Sequence, residues 1–231
     1  MSIPINVPIK QNHTTRFKLT LFLPLFLVLG IIMLVYNTVC IEGGKLSKPV
    51  SLKIFLDDWI PFNFYIIFPY VICLGFVLFA GIFFAFKRKI SIIQIISFYC
   101  SVILMYFLTY IIYLIFPTTA KDVMISSFNP SVLNWGMYRV IKGLYGLSTP
   151  LGDFPSLHVA PMVFMSFFLY KNWRTFFWRF FPIAFLGATG TVLLKFHVFL
   201  GFFGGVLMGI FGYFILYEKF VYKMVSKGLD T

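Results

Sequence analysis

The sequence predicts an all-α integral membrane protein built as a bundle of six transmembrane helices. Three observations carry that expectation. Of 231 residues, 60% are hydrophobic and 21% aromatic, but only 11% are charged, against roughly 25% charged in soluble domains. Apolar segments near the roughly 20 residues that a spanning helix needs recur along the chain. Lysine and arginine form short clusters at the ends of those segments instead of one interleaved patch, which is how membrane proteins use them. The formal net charge of +12 therefore points to anionic headgroups and phosphate as partners, and not to nucleic acid. Apolar segments use up the length, so one membrane domain over residues 1–231 is expected.

The first span is Leu19–Tyr36, after a cytoplasmic tail at residues 1–18. Its apolar run exceeds the roughly 7–15 residues of a signal-peptide core, and no small-x-small cleavage site follows it. Phe64–Phe86 and Ile92–Phe116 are the second and third spans. Ser156–Tyr170 begins just after Pro155, and Phe180–Leu194 carries Pro182 near its start. These two are short and reach across only if tilted or extended into flanking residues. Phe196–Tyr217 is the sixth, followed by a cytoplasmic tail at 218–231.

Basic residues set the orientation. With the N-terminus inside, the inner segments carry Lys10, Arg16, Lys18, Lys87, Arg88, Lys89, Lys171, Arg174, Arg179, Lys219, Lys223 and Lys227. The outer loops carry Lys45, Lys48, Lys53, Lys121, Arg139, Lys142 and Lys195, with the acidic Glu42, Asp57, Asp58, Asp122 and Asp153. Both termini are thus expected in the cytoplasm of a bacterial inner membrane or a eukaryotic endomembrane. The outer face receives two long loops, 37–63 and 117–155, and loops of such length are often functional. Within the first, Ser47–Ile60 is expected as a short helix on the membrane surface. No internal repeat is visible, so an inverted-repeat transporter gains no support. Cys40, Cys73 and Cys100 lack metal-ligand spacing and read as packing residues.

Two of the three histidines stand where apolar segments begin on the outer side. His158 lies in Phe154-Pro155-Ser156-Leu157-His158-Val159. Pro155 suits a helix start, Ser156 can cap or line the first turn, and His158 is expected one turn into a helix whose N-terminus favours anions. Lys195 and His197 occupy the short link into the last span. Two histidines, a lysine and a helix N-terminus at one water–lipid boundary make a phosphate site. Gly201, Gly205 and Gly209 share one ridge of the last helix, a small-residue packing stripe headed by His197.

Phe154–Ala160 resembles the second signature of the type 2 phosphatidate phosphatase superfamily, and Thr191–Gly205 resembles the third. The branch with inositol phosphorylceramide synthases is the most similar. It shows Thr, Lys and His at the spacing of Thr191, Lys195 and His197. It also has a Phe-Pro-Thr turn like Phe116-Pro117-Thr118, and a Tyr and a Pro like Tyr145 and Pro150. The resemblance spans residues 113–209. It implies the superfamily's six-helix bundle and a lipid phosphatase or phosphotransferase with no cofactor and no metal. It further implies His197 as the nucleophile that takes the phosphoryl group and His158 as the acid for the leaving alcohol. Ser156 and Lys195 would help hold the phosphate oxygens of a phosphorylated lipid.

Two departures accompany it. The family has an Asp four residues after the nucleophile, where this chain has Gly201; loss of a histidine's orienting carboxylate costs about 10⁴ in rate in the serine-protease analogy. The first signature's Arg is replaced by Ala120-Lys121-Asp122, so that Lys121, Arg139 or Lys142 stands in for it. The alternative expectation is therefore a weakened or inactive member that binds lipid phosphates. On that view Gly201→Asp should raise activity.

Overall fold

The computed structural model describes residues 15–85, 90–127, 139, 140, 142, 143 and 150–229. It is mostly helical. The elements in order are α1 (Thr15–Leu46), β1 (Val50–Ser51), α2 (Phe55–Trp59), a 3₁₀ turn (Phe64–Ile66), α3 (Ile67–Ala85) and α4 (Ile92–Ile115). They continue with β2 (Thr118–Thr119), α5 (Lys121–Ser127), α6 (Val159–Asn172), α7 (Arg174–Leu193) and α8 (Phe199–Phe211). A π-helical segment (Gly212–Val221) carries α8 without a break into α9 (Tyr222–Leu229).

Among the described residues, four helices are long and apolar enough to cross a membrane: Leu23–Leu46 of α1, α4, α7 and Phe199–Lys227. Large apolar side chains such as Leu34, Phe107, Phe185 and Leu207 lie bare on their outer surfaces, a surface suited to lipid and not to water. The protein is thus a membrane protein by these criteria. The expected six crossings include two shorter pieces, α3 with its apolar stretch Phe64–Val77 and the 14-residue α6.

Several boundaries differ from the sequence expectation, each for a local reason. α1 runs ten residues beyond Tyr36, because its end packs against the outer loops: a Cβ on Gly44 would meet the Leu151 side chain at 3.1 Å. α7 starts at Arg174 and passes through Pro182, so it reaches spanning length by extending toward the basic loop. The last span begins at Phe199, and residues expected as a tail from 218 onward continue the helix to Leu229. The surface helix expected over Ser47–Ile60 is only α2, preceded by β1. The beginning of α4 follows its sequence: Gln94 N–H donates to Ser91 Oγ (3.2 Å) and Ser91 N–H to Gln94 Oε1 (2.7 Å), a reciprocal cap that satisfies two orphan donors.

α6 is the central helix. Val159, Ala160, Met162, Phe164, Met165, Phe168 and Leu169 are all buried, because α7, α8 and the π segment surround it while α3 backs α7 and α1 backs α4. The glycine ridge does what the spacing predicts. A Cβ on Gly205 would lie 2.7 Å from the Ser156 carbonyl and one on Gly209 2.5 Å from that of Ala160, so only glycine lets α8 lie this close to α6. At the end away from the loops, Gln94 Nε2 donates to Asn172 Oδ1 at 2.6 Å, and Lys171 pairs with Glu218.

Candidate functional site

At the other end of the bundle, three loops are tied into one layer. β1 and β2 pair in parallel, Val50 with Thr118 and Ser51 with Thr119, and Thr119 bridges Leu151 in antiparallel fashion. Ala120 N–H donates to the Pro150 carbonyl (2.9 Å) and Gly152 N–H to that of Thr118 (2.9 Å). Thr118 Oγ1 accepts from Phe154 N–H at 2.8 Å, and Tyr113 Oη donates to the Pro155 carbonyl at 2.7 Å. Gly152 turns the chain with φ of 74°, where a Cβ would run into the Cys40 thiol. That conformation and that space both demand glycine. The turn sends the Asp153 side chain inward, where it is buried.

The link from α7 to α8 is built with equal economy. Lys195 N–H donates to the Val192 carbonyl (3.0 Å) and Phe196 N–H to that of Thr191 (2.9 Å). This is the two-bond Schellman end of a helix, with Lys195 at φ of 58° in the left-handed position that usually falls to glycine. What holds a lysine there is its side chain. Nζ donates to the carbonyls of Asp57 and Ile60, both at 2.7 Å, which closes the C-terminal end of α2. Two of the three ammonium hydrogens are therefore committed to backbone carbonyls, which gives Lys195 a structural role beside the part in holding phosphate expected of it. Its burial lowers the ammonium's pKa, and the neighbouring Asp57 partly offsets this. Lys195→Ala should cost about 1.5–3 kcal/mol of stability, the worth of hydrogen bonds to a charged group. Thermal unfolding of the variant beside the parent protein checks this, and an unchanged midpoint would refute the clamp.

His197 follows that turn, its N–H also donating to the Thr191 carbonyl at 3.1 Å. Its Nδ1 lies 3.0 Å from Asp153 Oδ1, and its Nε2 lies 2.9 Å from His158 Nδ1. A carboxylate oxygen only accepts, so Nδ1 of His197 carries the proton and Nε2 presents a lone pair. His158 Nδ1–H then donates to that lone pair. The result is a hydrogen-bonded row, Asp153–His197–His158, with His197 and Asp153 buried and His158 partly open. Tyr70 stands beside the His158 ring at 5.8 Å and stacks on Phe196 at 5.6 Å.

The carboxylate that the sequence appears to lack at position 201 is thus present from another segment. A Cβ on Gly201 would lie 2.6 Å from the Asp153 carbonyl oxygen and 2.8 Å from each carboxylate oxygen. Gly201 is the space that Asp153 fills, not a gap in the site. Asp153 Oδ1 also accepts from Val198 N–H at 3.1 Å, and Asp57 Oδ1 accepts from Phe199 N–H at 2.7 Å. Two carboxylates therefore occupy the N-terminus of α8 and complement its dipole. Asp57 Oδ2 also accepts from Ile54 N–H at 2.9 Å.

His158 is the residue before α6, not one turn inside it. Buried Ser156 does cap: its Oγ accepts from Val159 N–H (3.4 Å) and its carbonyl from Ala160 N–H (3.1 Å), while its own N–H donates to the Gly201 carbonyl (3.0 Å). Lys121 is exposed at the start of α5, whose Val123 and Met124 share a small cluster with Val198, next to His197. Arg139 and Lys142 are exposed, and most of the loop carrying them, like Tyr145, lies outside the described residues. Among the described residues, no group of three or more His, Cys, Asp or Glu side chains is arranged to hold a metal ion.

Asp57 and Asp153 were legible in the sequence only as outer-loop charges. The one available signal was position, since Asp153 immediately precedes Phe154-Pro155-Ser156. Compared with known proteins, the chain matches no family model, no curated protein and no solved structure.

Proposed function

We propose that this chain is a membrane-embedded lipid phosphatase or phosphotransferase that acts at the extracytoplasmic face through a phosphohistidine at His197. The observation that carries the reading is the Asp153–His197–His158 row. An imidazole with one nitrogen pinned to a carboxylate has its other lone pair aimed, which is what a nucleophile requires. A second imidazole on that lone pair is within reach to act as a general acid.

The phosphate would displace the direct contact between the rings. His197 Nε2 forms a bond to phosphorus as the bond from phosphorus to the lipid oxygen breaks, and His158 gives its proton to the departing alkoxide. Water, or an acceptor alcohol, then attacks the phosphohistidine, loses its proton to His158 and restores His197. Asp153 stabilises the charge on His197 while the N–P bond exists. The first turn of α6 and Lys121 supply positive potential for the non-bridging oxygens. Hydrolysis and transfer share the first half of this sequence.

Depth supports a lipid substrate. We read six crossings with both termini cytoplasmic, counting α3 and α6 with the four long helices. α6 has 14 residues, about 21 Å of helix against about 30 Å of hydrocarbon. On this reading the segment Phe154–His158 makes up the remaining distance of about 9 Å, so the histidines lie just inside the outer boundary of the hydrocarbon, within reach of a phosphate at headgroup level. The reading of a member that binds lipid phosphates without turnover rested on the missing carboxylate and on the altered first signature, and the Asp153 contact answers the first of these.

The test is phosphate release from a panel of lipid phosphates, with acid-labile labelling of the protein by a ³²P-labelled substrate. His197→Ala should lose both release and label, and His158→Ala should slow release by about 10²–10⁴, the usual share of general acid–base catalysis. Turnover surviving in His197→Ala would sink the phosphohistidine mechanism.

A further inference from the structure

Beside the site, α7 and α8 each pack along α6 but touch one another little, and the gap between them is a groove of about 490 Å³. Its floor is a stripe of α6, Met162, Ser166 and Tyr170, and its walls include Ala184 and Ala188 of α7 and Phe202 and Val206 of α8. The lining is almost wholly apolar, and the Ser166 hydroxyl is already spent on the Met162 carbonyl at 2.8 Å. No polar ligand finds partners there.

Two features tie the groove to the histidines. The floor stripe steps by four residues, and one step before Met162 is His158, so the reacting imidazole heads the row that lines the groove. Phe202 also borders a smaller hollow of about 210 Å³ with Ile60 and Phe199, the residues joined to Lys195 and Asp57 in the loop layer. The groove wall from Phe177 to Ala188 is about 16 Å of helix, against about 15 Å for one leaflet of hydrocarbon.

We infer that this groove is the tail site of the substrate: it takes one hydrocarbon chain, lying along α6, and so delivers the attached phosphate from the bilayer to His158 and His197. The inference rests on the lipid phosphatase reading and adds how the substrate is held. Recognition by the groove is of chain length and shape, through packing of the chain against its walls, because the surrounding lipid is as apolar as the groove. Substrates with a long chain are favoured over soluble phosphomonoesters by that route.

The experiment uses the full chain in phosphatidylcholine bilayers and a long-chain alkyl phosphate bearing a diazirine at the chain end. Photolysis and peptide mapping should place the label on the facing surfaces of α6, α7 and α8, competed by unlabelled long-chain alkyl phosphate but not by a short-chain one. Ala188→Trp, which fills the groove from one wall, and Val206→Phe, from the other, should each remove the label. Each should also lower the ratio of long-chain to short-chain turnover about tenfold, about 1.4 kcal/mol of lost packing. Label scattered over other helices, label that is not competed (bulk bilayer lipid in the groove), or no label (a second copy covering it) overturns the inference. Scattered label with normal turnover sinks the tail site alone. Mapped, competed label with no turnover on any substrate sinks the enzyme reading and leaves the groove standing.

Discussion

Asp153→Asn is expected to cut phosphate release by about 10⁴, the loss that follows when the orienting carboxylate of a catalytic histidine becomes an amide. The amide is nearly the same shape, but one oxygen, Asp153 Oδ1, faces both His197 Nδ1 and Val198 N–H; with the amide oxygen kept there His197 loses the charge beside it, and with the nitrogen there Val198 N–H loses its acceptor as well. The damage is to the proton arrangement. With an amide N–H turned toward His197, Nδ1 becomes the acceptor and the proton moves to Nε2, the atom that must attack. The His158 contact on Nε2 would then have to reverse as well. Stability should fall by only about 1–2 kcal/mol, the cost of replacing one buried acceptor. Steady-state release and thermal unfolding of the same preparation separate the two effects. Full activity in Asp153→Asn would mean that His197 is not the nucleophile, or that Asp153 does not orient it.

Gly201→Asp should abolish release and destabilise the fold, where the sequence alone suggested a gain. The new Cβ would enter the space of the Asp153 carbonyl and carboxylate, an overpacking that costs about 1–3 kcal/mol before any charge is added. A second carboxylate beside the first then adds repulsion between like charges. The pair Asp153→Gly with Gly201→Asp removes both problems and puts the carboxylate back on α8, one turn after His197. That double variant should exceed Gly201→Asp by about tenfold or more in kcat/KM, a coupling of about 1.4 kcal/mol between touching residues. A single Gly201→Asp variant more active than the parent protein would overturn the placement of Asp153.

Much of this could be read without a fold. Apolar run lengths and cation placement anticipated α4 to within a residue and put His158 and His197 at one end of the bundle, since both properties are local and both answer to the membrane. The Gly201, Gly205, Gly209 ridge was also readable, because a repeat of four on a helix can only be a face. Helix ends were read less well where packing decides them. α1 persists past Tyr36 because it docks on the outer loops, and α7 accommodates Pro182 because its extra turns reach toward the opposite end.

Lys195 and Asp153 make contacts that spacing did not suggest. A lysine two residues from a histidine reads as a phosphate ligand, yet its backbone is the left-handed stop of α7 and its ammonium reaches carbonyls some 135 residues away in sequence, those of Asp57 and Ile60. Asp153 lies 44 residues before His197, so no helical spacing could join them. The sequence by itself determined a helical membrane protein with two histidines at a shared boundary, because composition and short-range periodicity are set by the solvent and the helix. Only the tertiary structure decided which carboxylate serves His197 and why position 201 must be glycine. That is a matter of volume, since Asp153 from a distant loop fills the space that a side chain at position 201 of α8 would need.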